Sequence, residues 1–151
     1  MTYSHTQVGA PMIAGLVTMT VAAFVVTAVA PPPGGPLTGV IVLLGALVMA
    51  SFVSLTVEIH GGTLTCRFGP GFIKKDIPLV EIANATAVKN PWLVGWGIRW
   101  YPGRCWIWNV SGLQAVELEY RNGRKFRIGT DEPEALVRAI QAAIGPSKPA
   151  E

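Results

Sequence analysis

The sequence predicts a two-helix transmembrane hairpin followed by a mainly-β domain that ends in one α-helix. The first 57 residues contain no Asp, Glu, Lys or Arg, so the 12 basic and 9 acidic side chains all lie from Glu58 onward. Two apolar runs flank a Pro/Gly cluster in the uncharged region, and shorter segments beyond it alternate between apolar and polar residues. The chain therefore divides into a membrane part, residues 1–57, and a water-facing part.

The two apolar runs cover residues 8–30 and 37–57. A helix needs about 20 apolar residues to cross ~30 Å of hydrocarbon, and a helix satisfies its own backbone polar groups in lipid. The cluster at 31–36 cannot continue a helix, so it predicts the turn. The alternative for the first run is a cleaved signal peptide. No basic residue precedes that run, and Pro31 stands where cleavage would occur, which argues against this alternative.

Small residues recur at every fourth position in both runs, and such stripes let two helices pack closely in lipid. The predicted stripes are Ala10, Ala14, Thr18 and Ala22 in the first run, and Ala46, Ala50 and Ser54 in the second.

The distribution of basic residues predicts the orientation. Every Lys and Arg follows the second run, so the positive-inside rule places the C-terminal region in the cytoplasm. Two spans then place the N-terminus there too. Neither run contains an ionisable residue, which argues against a proton relay, a charged-ion pathway or a voltage sensor.

The first predicted β-hairpin joins residues 57–60 to residues 63–68 through Gly61 and Gly62. Glycines supply the positive φ that a two-residue hairpin turn needs. This loop length places apolar pairs on the inward face and polar residues on the other. The predicted pairs are His60 with Thr63, Ile59 with Leu64, and Val57 with Cys66.

The second predicted hairpin joins residues 114–120 to residues 124–128. A two-residue turn at Asn122 and Gly123 would set apolar residues opposite charged ones. A three-residue loop, with Gly123 left-handed in a bulge, instead pairs apolar residues inward and opposite charges outward. The predicted pairs are Leu118 with Phe126, Val116 with Ile128, Glu119 with Lys125, and Glu117 with Arg127.

Four further strands and a closing helix complete the predicted domain. The strands are expected at residues 72–77, 82–88, 97–101 and 105–110. The helix is expected to begin with Asp131 as its cap and Pro133 in its first turn. It ends at Gly145, and residues 146–151 are expected to form a disordered tail. Its predicted apolar stripe is Leu136, Val137, Ile140 and Ile144.

Seven or eight short antiparallel strands and one amphipathic helix predict a small barrel or bent sandwich capped by the helix. Four segments carry a resemblance to a known family: residues 95–100 (GWGIRW), 109–112 (NVSG), 116–118 (VEL) and 126–133 (FRIGTDEP). In these segments the chain resembles bacterial membrane-anchored proteins with a pleckstrin-homology-like domain. The resemblance covers roughly the last two thirds of the chain. It implies such a domain over residues 58–145 and a location at the bacterial inner membrane, but no reaction.

The candidate site is a tryptophan-rich segment with basic neighbours. All five tryptophans fall between residues 92 and 108. Three interpretations remain open: a membrane-interface belt, a part of the domain core, or a site that stacks a ligand. The residues proposed for membrane or ligand contact are Trp92, Trp96, Arg99, Trp100, Arg104, Trp106 and Trp108.

The remaining polar residues predict no catalytic or metal site. His5 and His60 are isolated in the sequence, and Cys66 and Cys105 are expected to be reduced core thiols. The net charge of +3 is too small to indicate nucleic-acid binding. We therefore expect no cofactor and no enzymatic activity. The favoured function is a membrane-anchored interaction module that binds a protein partner or forms a homo-oligomer, and the alternative is recognition of lipid headgroups or another small ligand.

Overall fold

A computed structural model describes residues 3–101 and 105–145. The helices are α1 (Ala10–Val29), α2 (Gly34–Ala50) and α3 (Pro133–Ile144), with short 3₁₀ turns at Leu79–Glu81 and Trp92–Val94. The strands are β1 (Tyr3–Val8), β2 (Ser54–His60), β3 (Thr63–Phe68), β4 (Ile73–Pro78), β5 (Ile82–Lys89), β6 (Gly97–Tyr101), β7 (Cys105–Asn109), β8 (Gln114–Tyr120) and β9 (Lys125–Gly129). The molecule thus has N-terminal helices, a mostly-β domain and a C-terminal helix, as predicted.

The two long helices differ in how well they fit a bilayer. α1 has 20 residues with a mean hydropathy of 2.3, and it is long and apolar enough to cross a membrane. α2 is also apolar but has 17 residues, because Ser54 and the residues after it already belong to β2. The prediction that the second helix extends to residue 57 is therefore wrong. The predicted turn is also too long, since α2 begins at Gly34 and accommodates Pro36 in its first turn, where no N–H is needed.

The two helices pack through small residues, but not through the stripe predicted for α1. Ala10, Ala14, Thr18 and Ala22 are exposed. The contact line on α1 instead follows Gly15, Met19 and Ala23, which recur at the same spacing of four residues but lie on a different face of the helix.

On α2 the contact line follows Gly35, Gly39 and Ala46, which are buried. Ala46 was predicted correctly, whereas Ala50 is half-buried and Ser54 lies in β2. A Cβ atom on Gly39 would overlap the Thr27 hydroxyl of α1, so only glycine permits this close approach.

The N-terminal tail forms a strand that the sequence did not predict. β1 pairs with β2 in antiparallel register from Tyr3 opposite Ile59 to Val8 opposite Ser54. The amide of Gly9 donates a hydrogen bond to the Val53 carbonyl at 2.6 Å. Both ends of the helical hairpin therefore enter one sheet, and a boundary at residue 57 falls inside β2.

The strands form two sheets, with orders β1-β2-β3-β4 and β5-β8-β9-β7-β6. Both predicted hairpins are confirmed pair by pair, including Val57 opposite Cys66 and Leu118 opposite Phe126. One pairing departs from the antiparallel prediction, since β7 lies parallel to β9. This contact joins strands that are distant in sequence, so no local turn signal could predict it.

The core lies between the two sheets and under α3. Phe68 of the first sheet packs against Trp108 of the second with ring centroids 5.1 Å apart, and Trp108 packs against Phe126 at 5.7 Å. Leu136 and Ile140 of α3 are fully buried in the same cluster, which confirms the inward half of the predicted stripe. Val137 and Ile144 are partly buried at its margin.

Asp131 does not cap α3, contrary to the prediction. The residue that precedes the helix is Glu132, and its amide donates a hydrogen bond to the Thr130 hydroxyl at 3.1 Å. Asp131 instead contacts His5 of β1, because the unpredicted N-terminal strand brings that imidazole to the start of α3.

Candidate functional site

The β domain has one end near the helical hairpin and one end away from it. β1 ends at Val8 and β2 begins at Ser54, so these termini define the helix-proximal end. The Gln7 amide donates to the Ser111 carbonyl at 3.3 Å, which places the end of β7 and the start of β8 at the same end. The β8–β9 turn and the first 3₁₀ turn therefore lie at the opposite, helix-distal end.

The five tryptophans separate into one core residue and four exposed ones. Trp108 is 8% exposed and packs between Phe68 and Phe126. The others are 75% (Trp92), 42% (Trp96), 58% (Trp100) and 49% (Trp106) exposed. Core burial therefore holds for Trp108 alone. Arg104 lies outside the described residues.

Trp96 and Arg99 lie beside α1 and α2. They line an apolar groove of about 380 Å³, here called the proximal groove, between β6 and the helical hairpin. The Arg99 Nε donates a hydrogen bond to the Trp96 carbonyl at 3.2 Å, which holds the guanidinium at this groove. The remaining lining residues are Met12, Met19, Gly45, Val48, Met49, Phe52, Gly97 and Ile98.

Trp106 lies at a different opening, near the helix-distal end between the two sheets. Here a smaller pocket of about 160 Å³, the distal pocket, combines charged and aromatic side chains. Trp100 is paired with Trp106 across β6 and β7. The lining residues are Lys75, Asp76, Ile77, Glu81, Trp106, Tyr120, Asn122, Arg124, Lys125 and Phe126.

Lys75 points into the distal pocket from β4. It lies opposite Cys66, which faces the core, so both side chains share the inward face of the sheet. The Lys75 Nζ lies 5.3 Å from the centroid of the Phe126 ring, a cation–π geometry. Sequence alternation could have indicated this inward orientation, because Lys75 stands between Ile73 and Ile77 on one face of the strand.

Titratable groups near the distal pocket have shifted pKa values. Burial raises the pKa of Tyr120 to about 12, so its phenol stays protonated at neutral pH. Hydrogen bonds from Thr65 and Lys74 lower the pKa of Asp76, which keeps that carboxylate charged. Burial raises the pKa of the Cys66 thiol to about 12, so this thiol is a poor nucleophile.

A charged cluster occupies the other face of the second sheet. Glu117 accepts hydrogen bonds from the Lys125 Nζ and the Arg127 Nε, each at 2.7 Å. Burial opposes ionisation of Glu117, but these two cations outweigh burial and lower the pKa of Glu117. The hydrogen bond with Glu117 raises the pKa of Lys125. The pairing was predicted, but not its burial: Arg127 is 8% exposed and also donates to Asn90 at 3.1 Å.

The contacts of His5 could not be predicted from the residues next to it in the sequence. Its Nε2 lies 2.6 Å from the Asp131 Oδ1, and its Nδ1 lies 3.5 Å from the Glu132 Oε2. The contact bridges 126 positions in the chain, so only a predicted β1 strand could have indicated it. His60 is exposed at the β2–β3 turn, as its position beside two glycines suggested.

The described residues contain no group of three or more His, Cys, Asp or Glu side chains that could hold a metal ion. Cys66 and Cys105 lie in different sheets, and no disulfide joins them. A search against models of known protein families gives no match to the chain, and no curated protein is significantly similar to it.

Proposed function

We propose that the protein is a membrane-anchored, non-catalytic interaction module with a pleckstrin-homology-like domain at the cytoplasmic face of a bacterial inner membrane. The observation that carries this proposal is the direct junction between helices and sheet. One residue, Gly9, separates β1 from α1, and three residues separate α2 from β2. An anchor joined so closely would hold the helix-proximal end of the domain next to the lipid surface.

The surface chemistry of the hairpin supports insertion of both helices. Large apolar side chains point away from the helix pair, whereas its interior holds small residues, which is the arrangement that lipid favours. α2 would extend about 26 Å at 1.5 Å per residue, and a slight thinning of the bilayer accommodates such a helix. Exposed residues of this kind include Val17, Val21, Phe24, Val29, Leu37, Ile41, Leu44 and Leu47.

The pairing of β1 with β2 supports placing both ends of the hairpin on one side of the membrane. The basic residues indicate that this side is the cytoplasm, since all 12 follow the hairpin. We expect a cytoplasm-dependent reporter fused after Glu151 to be active, and a periplasm-dependent reporter to be active only when inserted between Gly34 and Gly35.

As a matched control, two or three lysines placed in that turn should weaken or invert the orientation. The protein should also resist carbonate extraction. A periplasmic reporter that is active at the C-terminus of the unaltered chain would overturn the topology.

The interaction surface proposed for a protein partner or a second copy is β6, the last strand of the second sheet. Edge strands offer backbone groups for pairing with another chain. Trp100 lies on this strand and is largely exposed, which suits an aromatic anchor. A photocrosslinking residue in place of Trp100 should capture a partner in native membranes, whereas the same residue in place of exposed Val80 should not. Recovery of an uncrosslinked monomer from both would contradict this function.

A second candidate function is direct contact with lipid headgroups, and the proximal groove favours it. Trp96 and Arg99 line this groove together with Met12 and Met49 of the hairpin, so a headgroup could reach an indole and a cation at once. In nanodiscs with brominated lipids, W96F should remove a larger share of the tryptophan quenching than W106F. Equal losses would exclude lipid contact at the groove.

A further inference from the structure

We propose that the distal pocket is a binding site for a small soluble anion, a phosphate or carboxylate group carried on a single planar ring. The inference stands independently of the membrane anchor, because the pocket lies toward the end of the β domain that faces away from the helices. It rests on the direction of Lys75, the convergence of a second cation, and the aromatic walls.

The orientation of Lys75 is the first step. An inward position on β4 between Ile73 and Ile77 would ordinarily hold an apolar residue, since charged groups lose solvation between packed sheets. Lys75 forms no ion pair with any residue in the described part of the chain. The nearest carboxylate along the strand, Asp76, is held by Lys74 and Thr65 instead.

Arg124 supplies the second cation, and it comes from the other sheet. It follows the β8–β9 turn, where its amide donates a hydrogen bond to the Asn122 side chain at 3.0 Å. The Arg124 guanidinium likewise forms no ion pair with residues 3–101 or 105–145. Two cations from two sheets therefore meet at one pocket.

The charges that line the pocket leave a positive surplus. Lys75, Arg124 and Lys125 stand against Asp76 and Glu81, which is 3 − 2 = +1. Lys125 forms an ion pair with Glu117, and Asp76 forms one with Lys74. The cations that remain for a ligand are therefore Lys75 and Arg124, and Glu81 is the remaining carboxylate at the pocket. Two neighbouring cations of this kind typically bind phosphate and carboxylate groups.

The aromatic walls define the rest of the ligand. Trp106 is half-exposed at the rim, Phe126 forms a buried floor, and Tyr120 lines the pocket with its phenol protonated as a donor. A planar ring can stack on the indole while its anionic group reaches the two cations. About 160 Å³ admits one ring with one such group.

An inward lysine on an edge strand has a competing explanation, because such a charge discourages sheet-edge association. The two explanations differ in what they require of Arg124 and Trp106. Edge protection needs neither residue, whereas an anion site needs both. Binding measurements on matched variants therefore separate them.

The experiment uses the full-length protein in nanodiscs of phosphatidylcholine, titrated with phenyl phosphate and benzoate by calorimetry. We expect saturable binding that weakens with added salt, and about tenfold or greater loss of affinity in K75M and in R124Q. The control is K74M, which removes the adjacent lysine on the outward face. It should bind as the unaltered protein does.

Two further arms test the ligand class. Phenol lacks the anionic group and should not bind, and W106A should weaken phenyl phosphate more than inorganic phosphate. Nanodiscs that contain phosphatidic acid should not compete, since the pocket faces away from the helices. Failure of both anions to bind, equal affinity in K75M and K74M, or competition by the lipid would overturn the proposal. None of these outcomes bears on the reporter topology of the anchor.

Discussion

The helical hairpin and the β domain place their large apolar side chains on opposite sides. In the hairpin, Phe24 and Leu47 point outward, while the buried helix positions are Ala23, Gly35, Gly39 and Ala46. In the β domain, large side chains such as those of Phe68 and Leu118 fill the interior, and most charged residues lie at the surface.

This difference shows what stabilises each region. The β domain gains from removing apolar surface from water, so large side chains belong inside it. A helix pair in lipid gains nothing from that transfer, and close backbone approach at small residues must stabilise it instead. The two regions should therefore respond in opposite ways to a change of side-chain size, and the following substitutions test this.

The largest effect is expected at Trp108. Replacing it with alanine removes the contacts with Phe68 and Phe126 and leaves a cavity between the sheets, which should cost about 3–5 kcal/mol of unfolding free energy. Denaturant unfolding in detergent, followed by far-UV circular dichroism, measures the loss. W106A is the matched control at a half-exposed position on the same strand, and about 1 kcal/mol or less is expected there. Similar losses for both variants would contradict the assignment of Trp108 to the core.

A somewhat smaller effect is expected at Arg127. R127M leaves the partly buried Glu117 with one exposed partner, so we expect a loss of about 2–3 kcal/mol. K125M removes the other cation bound to the same carboxylate, but Lys125 lies at the surface, and its loss should cost about 1 kcal/mol or less. Equal costs would show that burial does not distinguish the two pairs.

In the hairpin, enlarging a small residue should be harmful. G39L forces a branched side chain against Thr27, so the helices must separate, at a cost of about 1–3 kcal/mol. The exposed neighbour Val40 provides the control, because V40L adds a methylene on the outward face. Cysteine crosslinking between residues 19 and 45 in membranes, where Met19 contacts Gly45 across the helix pair, would report in both variants whether the helices stay in contact. Unchanged crosslinking in G39L would argue against close packing at this glycine.

The smallest effect is a pH dependence from Glu117. Its pKa is lowered in the folded protein, so its contribution is fully present above the unfolded value of about 4.3 and is lost as pH falls through the folded value. The difference in unfolding free energy between pH 3 and pH 7 should therefore shrink in E117Q. E119Q, at an exposed position on the same strand, should leave that difference unchanged.

Local patterns in the chain predicted much of the β domain. Turn length and alternation gave correct registers for both hairpins, because a shift of one residue would turn every apolar side chain of a strand outward. The closing helix was also predicted from its apolar stripe. At the candidate site, composition identified the tryptophan-rich segment and its basic neighbours, but it could not assign Trp106 and Trp108 to different surroundings. They lie two residues apart on one face of β7, and only the facing sheet decides which of them it covers.

What the amino-acid order determined was therefore local: the uncharged hairpin, most strands with their registers, and the amphipathic helix. Tertiary structure alone decided the pairing of β1 with β2, the parallel contact of β7 with β9, and the contact of His5 with Asp131. It also brought Lys75 and Arg124 from separate sheets to one pocket. The physical reason is that periodicity and turn chemistry act between residues near in sequence, whereas these contacts form only when distant segments are packed around a common core.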